Sequence, residues 1–368
     1  MNFDFDDDQK ALQRAVREYL ERESPLSECR RVLEGEARYS ETVWRGAAEM
    51  GWLGTAIPER YGGAGLGALE LALVAEEVGR ALAPIPFASS IYLVSEALLQ
   101  LGSEAQKERY LPQLAAGTCI GAFALQEGPG HGNGQALATV LKDGAITGDK
   151  QPVLDGDVAG LYVVACRVGD QPRLALVGAG EGVKATPVAC IDGSRALARL
   201  QLSGAQAELL GDGGDAAAIE HLLDRAATLM AFEQLGGADQ AFAITREYVL
   251  DRYVFGRPVG SFQAIKHRLA DLFVDISLAR SNSYYAAWAL AGSADELPVA
   301  AAAARAAASD AFDLAASEMV HMHGGIGFTW EADAQLFYKR AKLLALTLGS
   351  PTHWRDRLTL RLARESAA

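Results

Sequence analysis

The spacing of apolar residues divides the chain into three segments. In the first, residues 1–117, Leu12, Val16 and Leu20 recur every four residues, which is typical of one face of a helix. Asp6 to Asp8 precede them and can cap the helix and offset its dipole. Further helices are predicted from Ser40 to Gly51, over Leu69–Leu82, and from Ser103 to Gly117.

The second segment, residues 118–211, has the pattern of a small β domain. Its apolar and β-branched runs are short, and glycine and aspartate separate them. The predicted strands are Cys119–Leu125, Ala138–Leu141, Leu161–Arg167, Arg173–Val177 and Leu197–Leu202. Strands of this length and spacing favour a small barrel or sandwich.

The third segment, residues 212–368, returns to helical spacing. Long patterns cover Asp215–Arg252, Phe262–Leu290, Leu297–His323 and Glu331–Leu348. Long helices with apolar stripes and short connections indicate an antiparallel four-helix bundle. The chain is therefore predicted to be α+β, with an N-terminal helical domain, a central β domain and a C-terminal bundle.

Composition excludes several classes of partner. The formal net charge is −13, so the basic surface of a nucleic-acid-binding protein is missing. No stretch approaches the roughly 18 apolar residues of a membrane helix, since even the Ala-rich segment 299–316 contains Arg305 and Asp310. The acidic start lacks the basic and apolar regions of a signal peptide. We expect a cytoplasmic protein without nucleic-acid or membrane partners.

The cysteines and histidines predict no metal site. Four scattered cysteines form no C-x-x-C pair, which is typical of inert thiols in a reducing compartment. His321 and His323 lie close together, but no third ligand accompanies them.

Three glycine-containing blocks stand out. The first, 51–66, contains the run PERYGGAG and carries no reactive group. In the second, 251–267, Arg252 could hold pyrophosphate oxygens in a fork, and Gln263 offers both a donor and an acceptor. In the third, 321–329, Gly324 and Gly325 allow backbone N–H groups to approach a phosphate closely. By itself, each block also suits an ordinary turn or helix cap.

Together these blocks, spread over nearly the whole chain, resemble the acyl-CoA dehydrogenase family. The resemblance implies FAD as cofactor. It also implies that Arg252, Phe255 and Gln263 reach the FAD bound by a neighbouring subunit, with Arg252 and Gln263 at its ADP half. Gly324 and Gly325 occupy the place of the family's pyrophosphate contact, and His321 replaces a glutamine that is usual there but can still donate a hydrogen bond.

The family's reaction is the oxidation of the Cα–Cβ bond of an acyl-CoA thioester. A carboxylate removes the α proton while the β hydrogen leaves as hydride to the flavin. The α proton is weakly acidic, so hydrogen bonds to the thioester and exclusion of water must assist. The resemblance therefore implies an acyl-CoA substrate, a positioned carboxylate and electron-transfer flavoprotein as the electron acceptor.

The two positions at which the family carries its base hold other residues here. The resemblance places them at Leu348 and, in another branch of the family, at Ala226, and neither side chain can take a proton. Asp224, Glu233 and Asp356 are nearby acids, although carboxylates on helices are more often surface or capping groups. The catalytic base of this chain is therefore unknown from its sequence.

The flavin-side strands also depart from the family pattern. Pro152-Val153-Leu154 stands where the family has a Trp-Ile-Thr stretch, and residues 126–133 differ from the usual T-E-P-G-A-G-S-D. Proline and leucine cannot supply the indole and hydroxyl contacts expected at the flavin ring. Residues that serve a neighbour's FAD are thus present, whereas those that would hold the chain's own flavin are replaced.

This asymmetry leaves three hypotheses. In the leading one, the chain is the partner of a catalytic acyl-CoA dehydrogenase subunit in an α2β2 complex, as in a heteromeric branch of the family that includes enzymes acting on steroid side chains. In the second, it is a scaffold subunit without a part in catalysis. In the third, it forms a homotetramer with a relocated base, such as Asp356 or Glu233.

Overall fold

A computed structural model describes residues 5–128, 137–292 and 294–367. The predicted α+β class is confirmed, because helices precede and follow a central set of strands along the chain. The α-helices are α1 Asp7–Glu23, α2 Leu26–Leu33, α3 Glu41–Glu49, α4 Ala68–Arg80, α5 Glu96–Leu101, α6 Glu104–Ala115, α7 Ala216–Asp251, α8 Gln263–Gly292, α9 Leu297–Met322, α10 Ala334–Leu346 and α11 Pro351–Ala367. The strands are β1 Gly121–Ala124, β2 Val140–Lys142, β3 Ala145–Leu154, β4 Leu161–Val168, β5 Gln171–Gly178, β6 Val183–Pro187, β7 Leu197–Leu209, β8 Tyr253–Val254 and β9 Arg257–Pro258.

The chain divides into two compact units. The first combines residues 1–30 and 68–83 with residues 227–368, and the second consists of residues 31–67 and 84–226. The three-part division at residues 117 and 211, which follows chain order, stays a prediction. Among the described residues, no helix combines the length and the hydropathy that crossing a membrane requires.

The first unit contains the antiparallel bundle that the helical spacing predicted. Phe232 of α7 stacks on Tyr284 of α8, and Phe242 lies against Phe273, so the two helices run in opposite directions. Further along, an ion pair of 2.7 Å joins Arg268, near the start of α8, to a glutamate near the end of α9. The chain reverses again between α9 and α10, where the Lys342 ammonium donates to a carboxylate oxygen of α9.

Close glycine contacts bring α4 against α7 in the same unit. A Cβ added at Gly79 would lie 1.8 Å from the carbonyl oxygen of Glu233, and one added at Gly236 would lie 1.8 Å from that of Glu76. Beside this contact Glu76 is fully buried and accepts a hydrogen bond of 2.8 Å from Arg280. Burial raises the pKa of Glu76, and the Arg280 guanidinium opposes that rise.

The second unit contains the small barrel predicted for the central segment. The strands pair in the order β4, β2, β3, β7 and β5, and β5 pairs again with β4, so that the ring closes. Strand β1 lies parallel to β4, and β6 pairs with the first half of β7. Because a closed barrel has no free edge within its ring, its strands are protected from edge pairing.

Candidate functional site

A short hairpin follows α7 and presents one of the predicted residues at its tip. The β8 and β9 strands pair Val254 with Arg257, which leaves Phe255 and Gly256 as a two-residue turn. Their φ angles are +50° and +77°, so both lie in the left-handed region that this type of turn requires. The Phe255 side chain is 96 % exposed.

Arg252 and Gln263 lie at the two ends of this hairpin segment. Arg252 follows the last residue of α7, and its carbonyl accepts a hydrogen bond of 2.8 Å from the Val259 N–H. Gln263 is the first residue of α8, and both side chains are exposed. Within the part of the chain that the structure describes, the Arg252 guanidinium makes no ion pair. Arg257, by contrast, stacks over the Phe262 ring at 3.9 Å.

The glycine-rich turn after α9 is open to solvent. Gly324 has a φ of +65°, and a Cβ added at Gly324 or Gly325 would have no heavy atom within 4 Å. The His321 side chain is exposed, with Nδ1 3.4 Å from a carboxylate oxygen of Glu318. The backbone amides of this turn can therefore be approached closely by a ligand.

One aromatic contact joins the end of α7, from which the hairpin follows, to the glycine-rich turn. The rings of Tyr248, near the end of α7, and His323, after the end of α9, stack with centroids 4.0 Å apart. The Tyr248 hydroxyl also donates to the His323 carbonyl at 3.3 Å. The six predicted cofactor residues thus lie at one end of the bundle, where an exposed guanidinium and open backbone amides suit a diphosphate.

The two positions at which the resemblance places the family's base have no polar side-chain group of their own, since they hold an alanine and a leucine. Ala226 is fully buried within α7, and Leu348 lies in the turn between α10 and α11. Of the acids considered from the sequence, Asp224 and Glu233 are buried, whereas Asp356 is exposed on α11.

A buried charge holds β3, the strand in which Pro152-Val153-Leu154 departs from the family pattern. Pro152 is exposed, and Val153 and Leu154 are buried, at the end of β3. Just before them, Lys150 is fully buried and donates to the Glu127 carboxylate at 2.8 Å. Residues 129–133 of the neighbouring departure from the family pattern lie outside the described residues.

The Glu127 carboxyl has a strongly shifted pKa. Burial raises it, but hydrogen bonds from Lys150, Thr139 and the backbone N–H of Ala138 outweigh burial and bring the pKa to about 2. Glu127 is therefore ionised at neutral pH and fixes the two chain segments that contact it.

Sequence reasoning did not single out Arg305, which is fully buried in α9. It donates to Ser309 and to the Thr347 carbonyl, at 2.6 Å and 2.8 Å. The only sequence signal was a lone arginine in an Ala-rich helix. In the described ranges, no group of three or more His, Cys, Asp or Glu residues is placed to hold a metal ion.

Comparison with known proteins connects this geometry to a family. Models of the acyl-CoA dehydrogenase N-terminal and C-terminal domains match residues 6–118 and 212–361. The chain is 36 % identical to the acyl-CoA dehydrogenase IpdE2 of Mycobacterium tuberculosis over 346 residues, which cover 94 % of each protein. The chain belongs to the acyl-CoA dehydrogenase family. Members of this family bind FAD and are oxidoreductases that act on CH–CH bonds.

Two solved structures are similar over nearly the whole length. A variant of the Tcur3481–Tcur3483 steroid ACAD has 31 % identity and a TM-score of 0.90, with 98 % of this chain and 99 % of that chain covered. The ChsE4–ChsE5 complex from Mycobacterium tuberculosis has 29 % identity and a TM-score of 0.90, with 99 % of each chain covered. The second of these structures is a complex of ChsE4 with ChsE5.

Proposed function

We propose that this chain completes the FAD site of a partner catalytic subunit in a heteromeric acyl-CoA dehydrogenase. The observation that carries the proposal is the contrast between two sets of residues. Arg252, Gly324 and Gly325 are exposed and accessible at one end of the bundle, whereas the base positions hold Leu348 and a buried alanine.

The exposed set fits the charged half of FAD. The Arg252 guanidinium can bind two pyrophosphate oxygens at once, and Gln263 can both donate to and accept from the ADP moiety. The open amides at Gly324 and Gly325 add donors without side chains that would block approach. Phe255 offers an exposed ring, and His321 a hydrogen-bond donor, on the same surface.

The second set, which consists of the residues at the base positions, does not allow a complete reaction within one chain. Bound FAD supplies the hydride acceptor in this family, but the reaction also needs a carboxylate at the α carbon. Leu348 cannot remove a proton, and the hydrophobic Pro152-Val153-Leu154 stretch offers no side-chain donor to a flavin ring. In the proposed complex, these tasks fall to the partner subunit.

The relatives suggest the type of assembly and of substrate. One similar structure is the Tcur3481–Tcur3483 steroid ACAD, and another is the ChsE4–ChsE5 complex. We propose an α2β2 assembly acting on an acyl-CoA thioester, with a fatty acyl chain or a steroid side chain as the acyl group and electron-transfer flavoprotein as the electron acceptor.

The test measures FAD in the complex purified with its catalytic partner. Arg252→Met should lower the affinity for FAD by about 10- to 100-fold, since one charge-assisted contact contributes about 1.5–3 kcal/mol. Arg257→Met is the matched control, because it removes the same charge from a guanidinium already stacked on Phe262. Its FAD content should equal that of the wild type.

Two results would contradict the proposal. FAD content unchanged by Arg252→Met would favour the scaffold role. Stoichiometric FAD and acyl-CoA oxidation by the isolated chain would favour the homotetramer with a base of its own.

A further inference from the structure

The turn between α10 and α11 has a constrained backbone at the position where the family carries its base. Leu348 has a φ of +63°, which is the left-handed region, and Gly349 follows with +112°. A left-handed conformation is unfavourable for a residue with a Cβ, which comes too close to the following carbonyl oxygen. Contacts around the turn must therefore hold Leu348 in place.

Arg305 supplies polar contacts from one side of this turn. Its guanidinium donates to the Thr347 carbonyl at 2.8 Å and to the Leu344 carbonyl, both at the C-terminal end of α10. On its other side it donates to Ser309 and Gln234. A buried cation suits these carbonyls, because the C-terminal end of a helix carries partial negative charge and the backbone bond to the Leu344 carbonyl, from the Thr347 N–H, is long at 3.3 Å.

The guanidinium is itself constrained by its surroundings. Arg305 has no exposed surface, and burial lowers its pKa to about 9, with the Glu233 carboxylate acting in the opposite direction. Its polar partners other than Glu233 are neutral, and two of them are carbonyls of one short segment. Movement of the α10 end would take two acceptors away from a buried guanidinium, which is costly.

An apolar cluster packs against the partly buried Leu348 side chain. The cluster consists of Ala227, Ala302, Ala306 and Trp354, with Leu348 and Leu358 packed against it. Trp354 is only 1 % exposed. Because Ala302 and Ala306 flank Arg305 along α9, one helix supplies both the polar and the apolar contacts of the turn.

We propose that Arg305 is a positioning residue. It holds the α10–α11 turn in one conformation, in which the Leu348 side chain stays packed against the cluster that contains Trp354. The inference rests on the proposed function, in which this chain has no acyl site of its own. It adds that position 348, where the family carries its base, is closed to reagents and held in one conformation, in addition to lacking a carboxylate. A single Leu348→Glu substitution would direct the carboxylate against the apolar cluster, where ionisation is unfavourable.

The test is the accessibility of introduced thiols in the full-length chain. Leu348→Cys is compared with Leu346→Cys, which lies two residues away at a position where the native leucine is 63 % exposed. Both variants are labelled with iodoacetamide well below the melting temperature, and mass spectrometry of peptides follows each site. The thiol at position 348 should react at least tenfold more slowly than the one at position 346.

Arg305→Met, added to each cysteine variant, should bring the two rates to within about threefold. Arg355→Met is the matched control, because Arg355 is exposed and pairs with Asp310 on the surface. It should leave the tenfold difference unchanged. If Arg305→Met does not fold, Arg305→Lys replaces it, since a single ammonium cannot reach both α10 carbonyls and Ser309 as the guanidinium does.

Equal labelling rates at positions 346 and 348, with Arg305 unchanged, would overturn the proposal that position 348 is closed. A rate difference that persists with Arg305→Met or Arg305→Lys would overturn the role of Arg305. Neither measurement needs FAD or a partner subunit, so failure here is distinguishable from failure of the proposed function.

Discussion

Individual charged residues inside the second unit are held by specific partners, and Lys150 shows how. Its ammonium has no exposed surface and bonds to the Leu125 carbonyl and to Glu127. Glu127 in turn accepts from the backbone N–H groups of Ala138 and Thr139. The pair therefore ties three separate parts of the chain together.

Glu127→Gln should destabilise the protein by about 2 kcal/mol at pH 7, because it leaves the buried Lys150 ammonium without a counter-charge. The pKa of Glu127 is about 2 in the folded protein, below the ordinary 4.5, so the contribution of its charge is complete above pH 4.5. It is lost as the pH falls toward 2. Urea unfolding at several pH values measures the effect.

The difference in unfolding free energy between wild type and Glu127→Gln should shrink between pH 4.5 and pH 2. Arg199→Gln serves as the control, since it breaks an exposed ion pair with Asp149 and should cost less than about 1 kcal/mol. A difference for Glu127→Gln that does not depend on pH would show that its charge is not what stabilises the fold.

Residues of the candidate site differ in how readily the sequence identifies them. Arg252 and Gly324 stand in motifs whose residue types and spacing identify them. Arg305 stands alone among alanines, and its importance depends on Thr347 and Gln234, which are distant in the chain. Because those contacts form only when the helices pack, the sequence pattern could not reveal them.

At the scale of elements, the long helices and the main strands follow from apolar spacing. The pattern over Asp215–Arg252 corresponds to α7, and Ser40 and Ser103 cap α3 and α6 as predicted. The sequence pattern missed β3, where Gly148 and Pro152 interrupt the alternation, and β6, which is largely exposed. It also missed the buried π-helical segment Ala88–Ser95, whose residues show no polar face.

Glycines that permit close helix packing also escape pattern reasoning, since the sequence alone does not show what they face. Gly79→Ala and Gly236→Ala should each destabilise the first unit by at least about 3 kcal/mol, because the new Cβ would lie 1.8 Å from a backbone oxygen. The helices α4 and α7 would have to separate. Urea unfolding followed by circular dichroism gives the free energy.

Gly292→Ala is the matched control for these two changes. It lies at the end of α8, where an added Cβ would meet no atom within 4 Å. Alanine should therefore be neutral or stabilising by up to about 1 kcal/mol. If all three variants unfolded at the same urea concentration, close approach of α4 and α7 would not be a source of stability.

At the scale of the whole molecule, the resemblance predicted the fold class and the family, and both are confirmed. The distribution of roles among subunits could not be predicted with the same certainty as the fold, because it depends on a second chain. The residues that serve the proposed role form an exposed surface on the first unit, at the end of the bundle where Tyr248 stacks on His323. Arg252 and Phe255 of this surface are exposed in the single chain, so their function must be tested in the complex.

Phe255 offers such a test, because its effects on the chain alone and on the complex should be opposite in sign. Phe255 has a φ of +50° and is 96 % exposed. In the isolated chain, Phe255→Asn should raise the melting temperature slightly, since asparagine tolerates the left-handed region. In the complex, loss of the ring should lower FAD content and loosen subunit association. Thermal unfolding of the chain, FAD absorbance and sedimentation of the complex measure these effects.

Tyr253→Asn, which changes an exposed aromatic of the same hairpin with ordinary backbone geometry, should give no gain in melting temperature. If Phe255→Asn destabilised the isolated chain and left the complex intact, Phe255 would be a structural residue of the hairpin and not part of the shared cofactor site.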